Sequence, residues 1–131
     1  MMRILIETID PKNMRYPTVG DYFPDGDTFK IQVADTGNED YNFLIALHEL
    51  IESKLCEHRG IKEEDIMKFD IQYEKEREAG LHEISEEPGF DSKAPYRAEH
   101  TFANGIEITM ASLLDVDYNH YDWVVMNLDV G

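Results

Sequence analysis

The chain has very little cysteine and no long apolar stretch. Its single cysteine, Cys56, excludes an intrachain disulfide, and this favours a reducing compartment. A membrane span needs about 20 consecutive apolar residues, and the longest apolar runs here are far shorter. The apolar run near Ile4 is also too short for a signal peptide. We therefore expect a cytoplasmic protein without a membrane partner.

Positive charge is scarce as well. Twelve Lys and Arg residues stand against 28 Asp and Glu, which gives a net charge of -16. Such a surface repels the phosphates of nucleic acids, so direct nucleic acid binding is not expected. The excess of acidic residues is typical of a well-solvated surface. A more specific interpretation is that the protein mimics DNA and occupies the groove of a DNA-binding protein. With 131 residues and 42% hydrophobic residues, the chain is expected to fold as one domain over 1–131.

Hydrophobic periodicity and turn residues divide the chain into a small sheet followed by helices. Strands are predicted at 3–8 and 28–34, with a turn-rich loop between them. Helices are predicted at about 40–58, 62–78 and 95–114, with a short helix near the end and an irregular loop over 81–95. The first helix has an apolar face made of Phe43, Leu44, Leu47, Leu50, Ile51 and Leu55. This order predicts an α+β fold in which a small antiparallel sheet of two to three strands precedes three to four helices.

A five-residue run in the first predicted helix carries the strongest functional signal. In His48-Glu49-Leu50-Ile51-Glu52, the outer two residues are four apart and share one helix face, where an imidazole and a carboxylate can bind one metal ion. Glu49 is placed to move a proton of a metal-bound water, as in the H-E-x-x-H helix of zinc peptidases. Glu52 stands where that pattern has its second histidine, so a further histidine ligand is needed from elsewhere.

His100 is the candidate for that ligand. Helical spacing places it on one face of the third predicted helix together with Tyr96, Ala103 and Glu107. If this face packs on the first helix, His48, Glu52 and His100 form a set of two histidines and one carboxylate, with a fourth position open for water, as in catalytic zinc sites. Glu107 could then accept a hydrogen bond from a ligand histidine.

The motif alone is weak evidence, because it occurs twice. The second copy, His82-Glu83-Ile84-Ser85-Glu86, runs into Pro88 and Gly89, where a helix would end. The first copy stands out because charged residues rarely lie midway along an apolar helix face without partners.

The candidate residues also have structural interpretations. His48 could be a core histidine bonded to Glu52, and Glu52 could pair with Lys54 or Arg59 on the surface. Cys56 continues the same stripe and is better explained as a core residue than as a metal thiolate. Aromatic packing is the favoured explanation for a further group of residues near the end of the chain: Tyr118, His120 and Tyr121.

Three segments carry a resemblance to a known family. The stretches GDYFPDGDTFKIQVAD (20–35), ALHELIESKLCEHRGI (46–61) and APYRAEHTFANGIEITMASLLDVD (94–117) resemble a group of small phage and bacterial zincin-like proteins. The order of strand, strand and His-Glu helix is similar to the minimal zincin metallopeptidase core. The resemblance implies zinc as cofactor, His48 and Glu52 as ligands, Glu49 as general base and His100 as the distal ligand.

We therefore expect a small zinc-dependent metallopeptidase of a bacterial or phage-infected host cell, acting on a peptide or protein substrate. An extended peptide would add as another strand beside residues 28–34, and an acidic cleft would prefer basic or neutral peptides. The alternatives are a catalytically inactive phage interaction module stabilised by metal, an acidic DNA-mimic inhibitor, and a magnesium site between two helices. Two histidines in the proposed set count against magnesium, which prefers oxygen ligands.

Overall fold

The computed structural model describes residues 3–131 and shows an α+β fold, as predicted. The strands are β1 (Arg3–Ile9), β2 (Gly20–Asp25) and β3 (Thr28–Ala34). The helices are α1 (Glu39–Arg59), α2 (Glu63–Glu78), α3 (Arg97–Leu113) and α4 (Tyr118–Asn127). Short 3-10 helices lie at Pro11–Asn13 and Pro88–Phe90, the second of them inside the loop predicted to be irregular. No helix within the described range is long and apolar enough to cross a membrane.

The sheet differs from the prediction in its pairing. Its strand order is β1-β3-β2, with β2 antiparallel and β1 parallel to the central β3, so the sheet is mixed rather than antiparallel. A two-residue turn with Gly26 in the left-handed region joins β2 to β3 as a hairpin. The longer connection over 10–19 skips one strand position, so that β2 runs back along the far edge and the hairpin places β3 between β1 and β2, parallel to β1.

The strand β2 was wrongly predicted as loop. Pro24 and its neighbouring turn residues hide the strand, because proline cannot donate a hydrogen bond within a sheet ladder. The structure resolves the conflict by placing β2 at the edge of the sheet, where proline is tolerated. As a consequence β3 is central, and the prediction that a peptide adds beside residues 28–34 is wrong, since both of its edges are occupied.

The buried face of α1 is also shifted from the predicted one. The helix ends match the sequence signals, with Asn38 accepting a hydrogen bond from the Tyr41 amide and Gly60 in the left-handed region. However, Phe43 is 51% exposed. The buried residues of α1 are Tyr41, Leu44, Ile45, His48, Glu52, Ser53 and Cys56. The polar pair thus lies in the middle of the most buried stripe of the helix.

Two apolar clusters flank these polar residues. One cluster contains Tyr22, Ile31, Cys56, Ile66, Ala94 and Tyr96, and the other contains Val33, Tyr41, Leu44, Ile45, Ala111 and Tyr121. Along α1, His48 and Glu52 lie between Leu44 of one cluster and Cys56 of the other. Along the facing α3 segment, His100 and Glu107 occupy the same interval between the two clusters. A layer of polar side chains from α1 and α3 therefore separates the two apolar clusters of the core.

The observed burial predicts which truncation in α1 destabilises the fold. Leu44 is fully buried, so Leu44→Ala should lower the free energy of unfolding by about 2–5 kcal/mol. Phe43→Ala removes a larger but half-exposed side chain and serves as the control, with an expected loss below about 1 kcal/mol. Urea denaturation measures both. A larger loss for Phe43→Ala would contradict the observed orientation of α1.

Candidate metal centre

Three of the predicted site residues bring one atom each to a common point. His48 Nε2 lies 2.9 Å from Glu52 Oε2 and 3.0 Å from His100 Nδ1, and His100 Nδ1 lies 2.8 Å from Glu52 Oε2. These atoms form a nearly equilateral triangle that could hold a metal ion. His48 and Glu52 are buried, and His100 is nearly so. The predicted pairing of α1 with the His100 face of α3 is therefore what the structure has.

Each of the three side chains also makes a hydrogen bond through the polar atom that faces away from the triangle. His48 Nδ1 lies 2.7 Å from Glu107 Oε1, as predicted, and the second oxygen of Glu107 accepts a hydrogen bond from the Tyr121 hydroxyl. His100 Nε2 lies 2.9 Å from Glu87 Oε2. Glu52 Oε1 accepts a 2.8 Å hydrogen bond from the hydroxyl of Tyr22. Such outer contacts orient metal ligands and fix the histidine tautomers.

These outer contacts determine which ring nitrogen carries the proton. An ionised carboxylate only accepts hydrogen bonds, so Glu107 and Glu87 place the N–H of each neutral imidazole on the atom facing them. The remaining nitrogen of His48 and of His100 is then a lone-pair acceptor, and so is Glu52 Oε2. Three acceptors that face one another within 3.0 Å need a positive centre between them. A metal ion or added protons can supply it.

Two glycines allow the backbone to come close to the site. A Cβ on Gly89 would overlap the imidazole ring of His100, and a Cβ on Gly20 would overlap the carboxylate of Glu49. Glycine is therefore required at both positions by close approach rather than by backbone conformation. Through these contacts the 3-10 turn at Pro88–Phe90 packs on His100, and β2 packs on the side chain of Glu49.

Glu49 borders a cavity next to the triangle. The cavity has a volume of about 300 Å³ and is also lined by His48, Glu52 and His100. Within residues 3–131 the Glu49 carboxylate has no hydrogen-bonding side-chain partner. Burial and the charge of Glu52 raise the pKa of Glu49 well above its usual value, although the two histidines oppose the shift. An unpaired carboxylate with a raised pKa beside the triangle is suited to proton transfer.

The protonation of the triangle follows from opposing effects. Burial lowers the pKa of His48 and of His100, but hydrogen bonds to carboxylates outweigh it. The pKa of His48 is raised well above its usual value and that of His100 to about 9. Burial raises the pKa of Glu52, yet its bonds to the two histidines lower it to about 2. These directions favour protonated histidines around an ionised Glu52 when no metal is bound, and a metal ion would have to displace those protons.

The donor set fits zinc in kind and nearly in spacing. Two imidazole nitrogens and one carboxylate oxygen are common zinc ligands. Tetrahedral zinc with bonds of about 2.05 Å separates its ligand atoms by about 3.3 Å. The observed separations of 2.8–3.0 Å are slightly smaller, so the three side chains would have to move apart by a few tenths of an ångström.

The structural interpretation of His48 as a buried histidine bonded to Glu52 agrees with the geometry, whereas that of Glu52 as a surface ion-pair partner is excluded. Glu52 does not pair with Lys54 or Arg59, which instead bond Glu57 and Glu99. His82 lies outside any helix and bonds Glu76, so the second copy of the motif forms no helix face, although His82 Nδ1 lies 4.0 Å from Glu86 Oε2.

Cys56 and the aromatic group of α4 lie outside the triangle. Burial raises the pKa of the Cys56 thiol to about 12, and this residue packs in the core as favoured. Tyr118 and Tyr121 pack edge to face, and the His120 ring bonds the Tyr41 hydroxyl, so the aromatic interpretation is confirmed. Tyr121 has a further role, because its hydroxyl supports Glu107.

Several residues of the cavity were missed by the sequence analysis. Asp70 of α2 is buried in the cavity wall and accepts hydrogen bonds from the hydroxyls of Tyr16 and Tyr96. Burial raises the pKa of Asp70 to about 7, and its tyrosine bonds oppose the shift. A signal was present, because Asp70 lies four residues after Ile66 and three before Tyr73, on the buried face of α2.

Comparisons with protein family models, with curated proteins and with solved structures found no match to this chain. The zincin-like resemblance therefore stays a prediction. The functional argument rests on the geometry of the site alone.

The raised pKa of His100 predicts how the metal-free protein responds to pH. A histidine pKa raised from 6.5 to about 9 stabilises the folded state below pH 6.5, and this stabilisation is lost as the pH rises through 9. With a chelator present, Tm should therefore fall between pH 6.5 and 9.5 more steeply in the wild type than in His100→Asn. His58→Asn, which changes an exposed histidine of α1, should keep the wild-type slope. Equal slopes for wild type and His100→Asn would contradict the assignment.

Proposed function

We propose that the protein is a small zinc-dependent hydrolase of the metallopeptidase type, with His48, Glu52 and His100 as zinc ligands. The observation that best supports this proposal is the convergence of three acceptor atoms. Each of these atoms belongs to a side chain that an outer hydrogen bond already orients. A histidine in an ordinary core needs only one or two hydrogen-bonding partners. Here each histidine already bonds an outer carboxylate, and its other ring nitrogen is directed at the same point as Glu52 Oε2. That pattern is typical of metal sites with an outer layer of hydrogen bonds.

The residues around the metal position have distinct tasks in this proposal. Bound zinc would polarise a substrate carbonyl and make water more acidic. Glu49 takes the proton from the attacking water, so that a bond forms between the water oxygen and the carbonyl carbon. It then passes that proton to the amine nitrogen as the carbon–nitrogen bond breaks. Glu107 and Glu87 hold the imidazoles in place throughout, and Tyr22 does the same for Glu52.

The cavity, rather than a strand edge, would receive the substrate. Its volume of about 300 Å³ is at the lower limit for small-molecule sites and suits a short segment of peptide. Its wall carries acidic residues from four parts of the chain, Asp21, Glu49, Asp70 and Glu87, and, among the residues described, a single arginine, Arg77. A basic or neutral peptide segment is therefore the favoured substrate, in agreement with the net charge of the chain.

The donor spacing favours a second candidate, a non-haem iron site. Adjacent corners of an octahedron with bonds of about 2.05 Å lie about 2.9 Å apart, and the observed separations are 2.8–3.0 Å. Two histidines and one carboxylate on one octahedral face are the ligands of non-haem Fe(II) oxygenases. Anaerobic competition between Zn²⁺ and Fe²⁺ for the purified protein decides between the two ions. The unpaired Glu49 beside the triangle favours the hydrolytic assignment.

The proposal predicts that Glu49→Gln separates metal binding from turnover. The variant should keep its zinc, because Glu49 is not a ligand, and should lose at least about 100-fold in activity, because its general base is gone. The assay uses zinc-loaded protein with fluorescein-labelled casein and a mixture of quenched basic peptides. Glu57→Gln, an exposed change on the same helix, should retain full activity.

Two outcomes would contradict the hydrolase. Wild-type activity in Glu49→Gln would exclude Glu49 as the base. If the zinc-loaded wild-type protein cleaves none of these substrates, the ion has only a structural role. This is the alternative of a catalytically inactive interaction module. In that case chelation should still lower Tm by several degrees.

A second prediction concerns the support of His48. Glu107→Gln keeps the shape of the side chain but removes the charge that fixes the imidazole, so zinc affinity should fall about 10- to 100-fold. Competition against a fluorescent zinc chelator measures the change. Glu99→Gln, which alters a different α3 carboxylate that bonds Arg59, is the matched control and should keep the wild-type affinity. An unchanged affinity in Glu107→Gln would contradict the role of Glu107 in supporting His48 as a metal ligand.

A further inference from the structure

The outer edge of β1 is open along its whole length. β1 is one of the two edge strands of the sheet, and within residues 3–131 it pairs only with β3. Its seven residues leave a row of outward backbone amides and carbonyls that can pair with another strand. α1 contacts β2 and β3, whereas no helix makes a comparable contact with β1.

This open edge also carries exposed apolar side chains on both faces. Ile4, Leu5 and Ile6 are each 44–45% exposed. The register places Ile4 and Ile6 on the same face as Ile31 of β3, whose side chain is fully buried, while Leu5 shares the opposite face with Lys30. Exposed apolar residues on a long edge strand indicate an interaction site, because natural edges are usually short, charged or covered.

The other edge of the sheet is protected. β2 carries Pro24, which lacks a backbone donor, and its first three residues are buried. Arg15 closes over this edge through an ion pair with Asp21 and a contact with the ring of Phe23. Of the two edges of the described sheet, only β1 is therefore available for pairing. Two chains that pair through β1 leave no open edge for a third, so the assembly stops at a dimer and does not grow into a fibre.

The sequence of β1 is complementary to itself. In an antiparallel pair of two β1 strands centred on Leu5, Arg3 stands opposite Glu7 of the partner subunit, and Ile4 opposite Ile6 of the partner subunit. Opposite charges then meet at both ends of the pair and apolar side chains meet between them. Arg3 and Glu7 lie on the same face as Leu5, so both ion pairs form on that face. Within its own chain Glu7 uses Oε1 to contact Gln32 and Lys30, which leaves Oε2 for Arg3 of the partner subunit.

From this complementarity we propose that the protein forms a two-fold symmetric dimer through β1. The two three-stranded sheets join into one six-stranded sheet in the order β2-β3-β1-β1-β3-β2. Ile4 and Ile6 of both subunits meet on the face that carries Ile31 of β3 and bury the apolar surface that these two residues expose in a single chain. The interface is separate from the metal centre, so the dimer does not depend on the proposed function.

Sedimentation velocity at about 0.15 M salt, over a range of protein concentrations, tests the proposal. The 15.2 kDa chain should sediment as a dimer of twice that mass. Arg3→Glu places like charges opposite each other at both ends of the pair, and the association constant should fall at least about tenfold. The double variant Arg3→Glu/Glu7→Arg restores opposite charges in the same register and should recover the dimer.

Two further variants complete the design. Lys54→Glu on the outer surface of α1 makes the same change in net charge as Arg3→Glu and should leave the dimer intact. Leu5→Lys places two ammonium groups at the two-fold axis and should give monomers with an unchanged circular dichroism spectrum. A wild-type monomer at all concentrations would overturn the proposal. So would a dimer that Arg3→Glu does not weaken, or a folded double variant that stays monomeric.

Discussion

The structure depends on the need to satisfy three buried acceptor atoms, His48 Nε2, Glu52 Oε2 and His100 Nδ1, at one point between α1 and α3. Leaving such groups unpaired in an apolar interior costs several kcal/mol. Their positions require α1 and α3 to pack in one register, since a rotation of either helix would separate the atoms. The positive centre that joins these atoms, whether protons or the proposed metal, would therefore belong to the core as well as to the proposed catalytic site.

Most of the fold follows from local signals, and its exceptions have physical causes. The helix ends at Asn38 and Gly60 were predictable because capping is a property of neighbouring residues. The strand β2 was not, because Pro24 is a strong local signal against a strand and only its edge position makes it acceptable. The parallel pairing of β1 with β3 depends on the path of a long connection, on which local periodicity carries no information.

The core of the site was predictable, whereas most of its surroundings were not. His48 and Glu52 are fixed by helical spacing, and Glu107 lies two turns from His100 on the same face of α3. Glu87 comes from an irregular loop and Tyr22 from the strand that was missed, so no periodic pattern connects either residue to the triangle. The buried stripe of α1 was misplaced for a related reason. Apolar periodicity does not identify this buried face of α1, because its central residues are the polar His48 and Glu52.

The most direct test of the central claim is elemental analysis of the wild-type protein, purified without a histidine tag, beside a His48→Ala/His100→Ala variant. The account predicts about one zinc per wild-type chain and none in the variant, because the three converging atoms could together hold a single ion. Equal metal contents in the two proteins, or no metal in the wild type after dialysis against zinc, would contradict it. The triangle would then be a protonated pair of histidines around Glu52, and the hydrolase proposal would lose its basis.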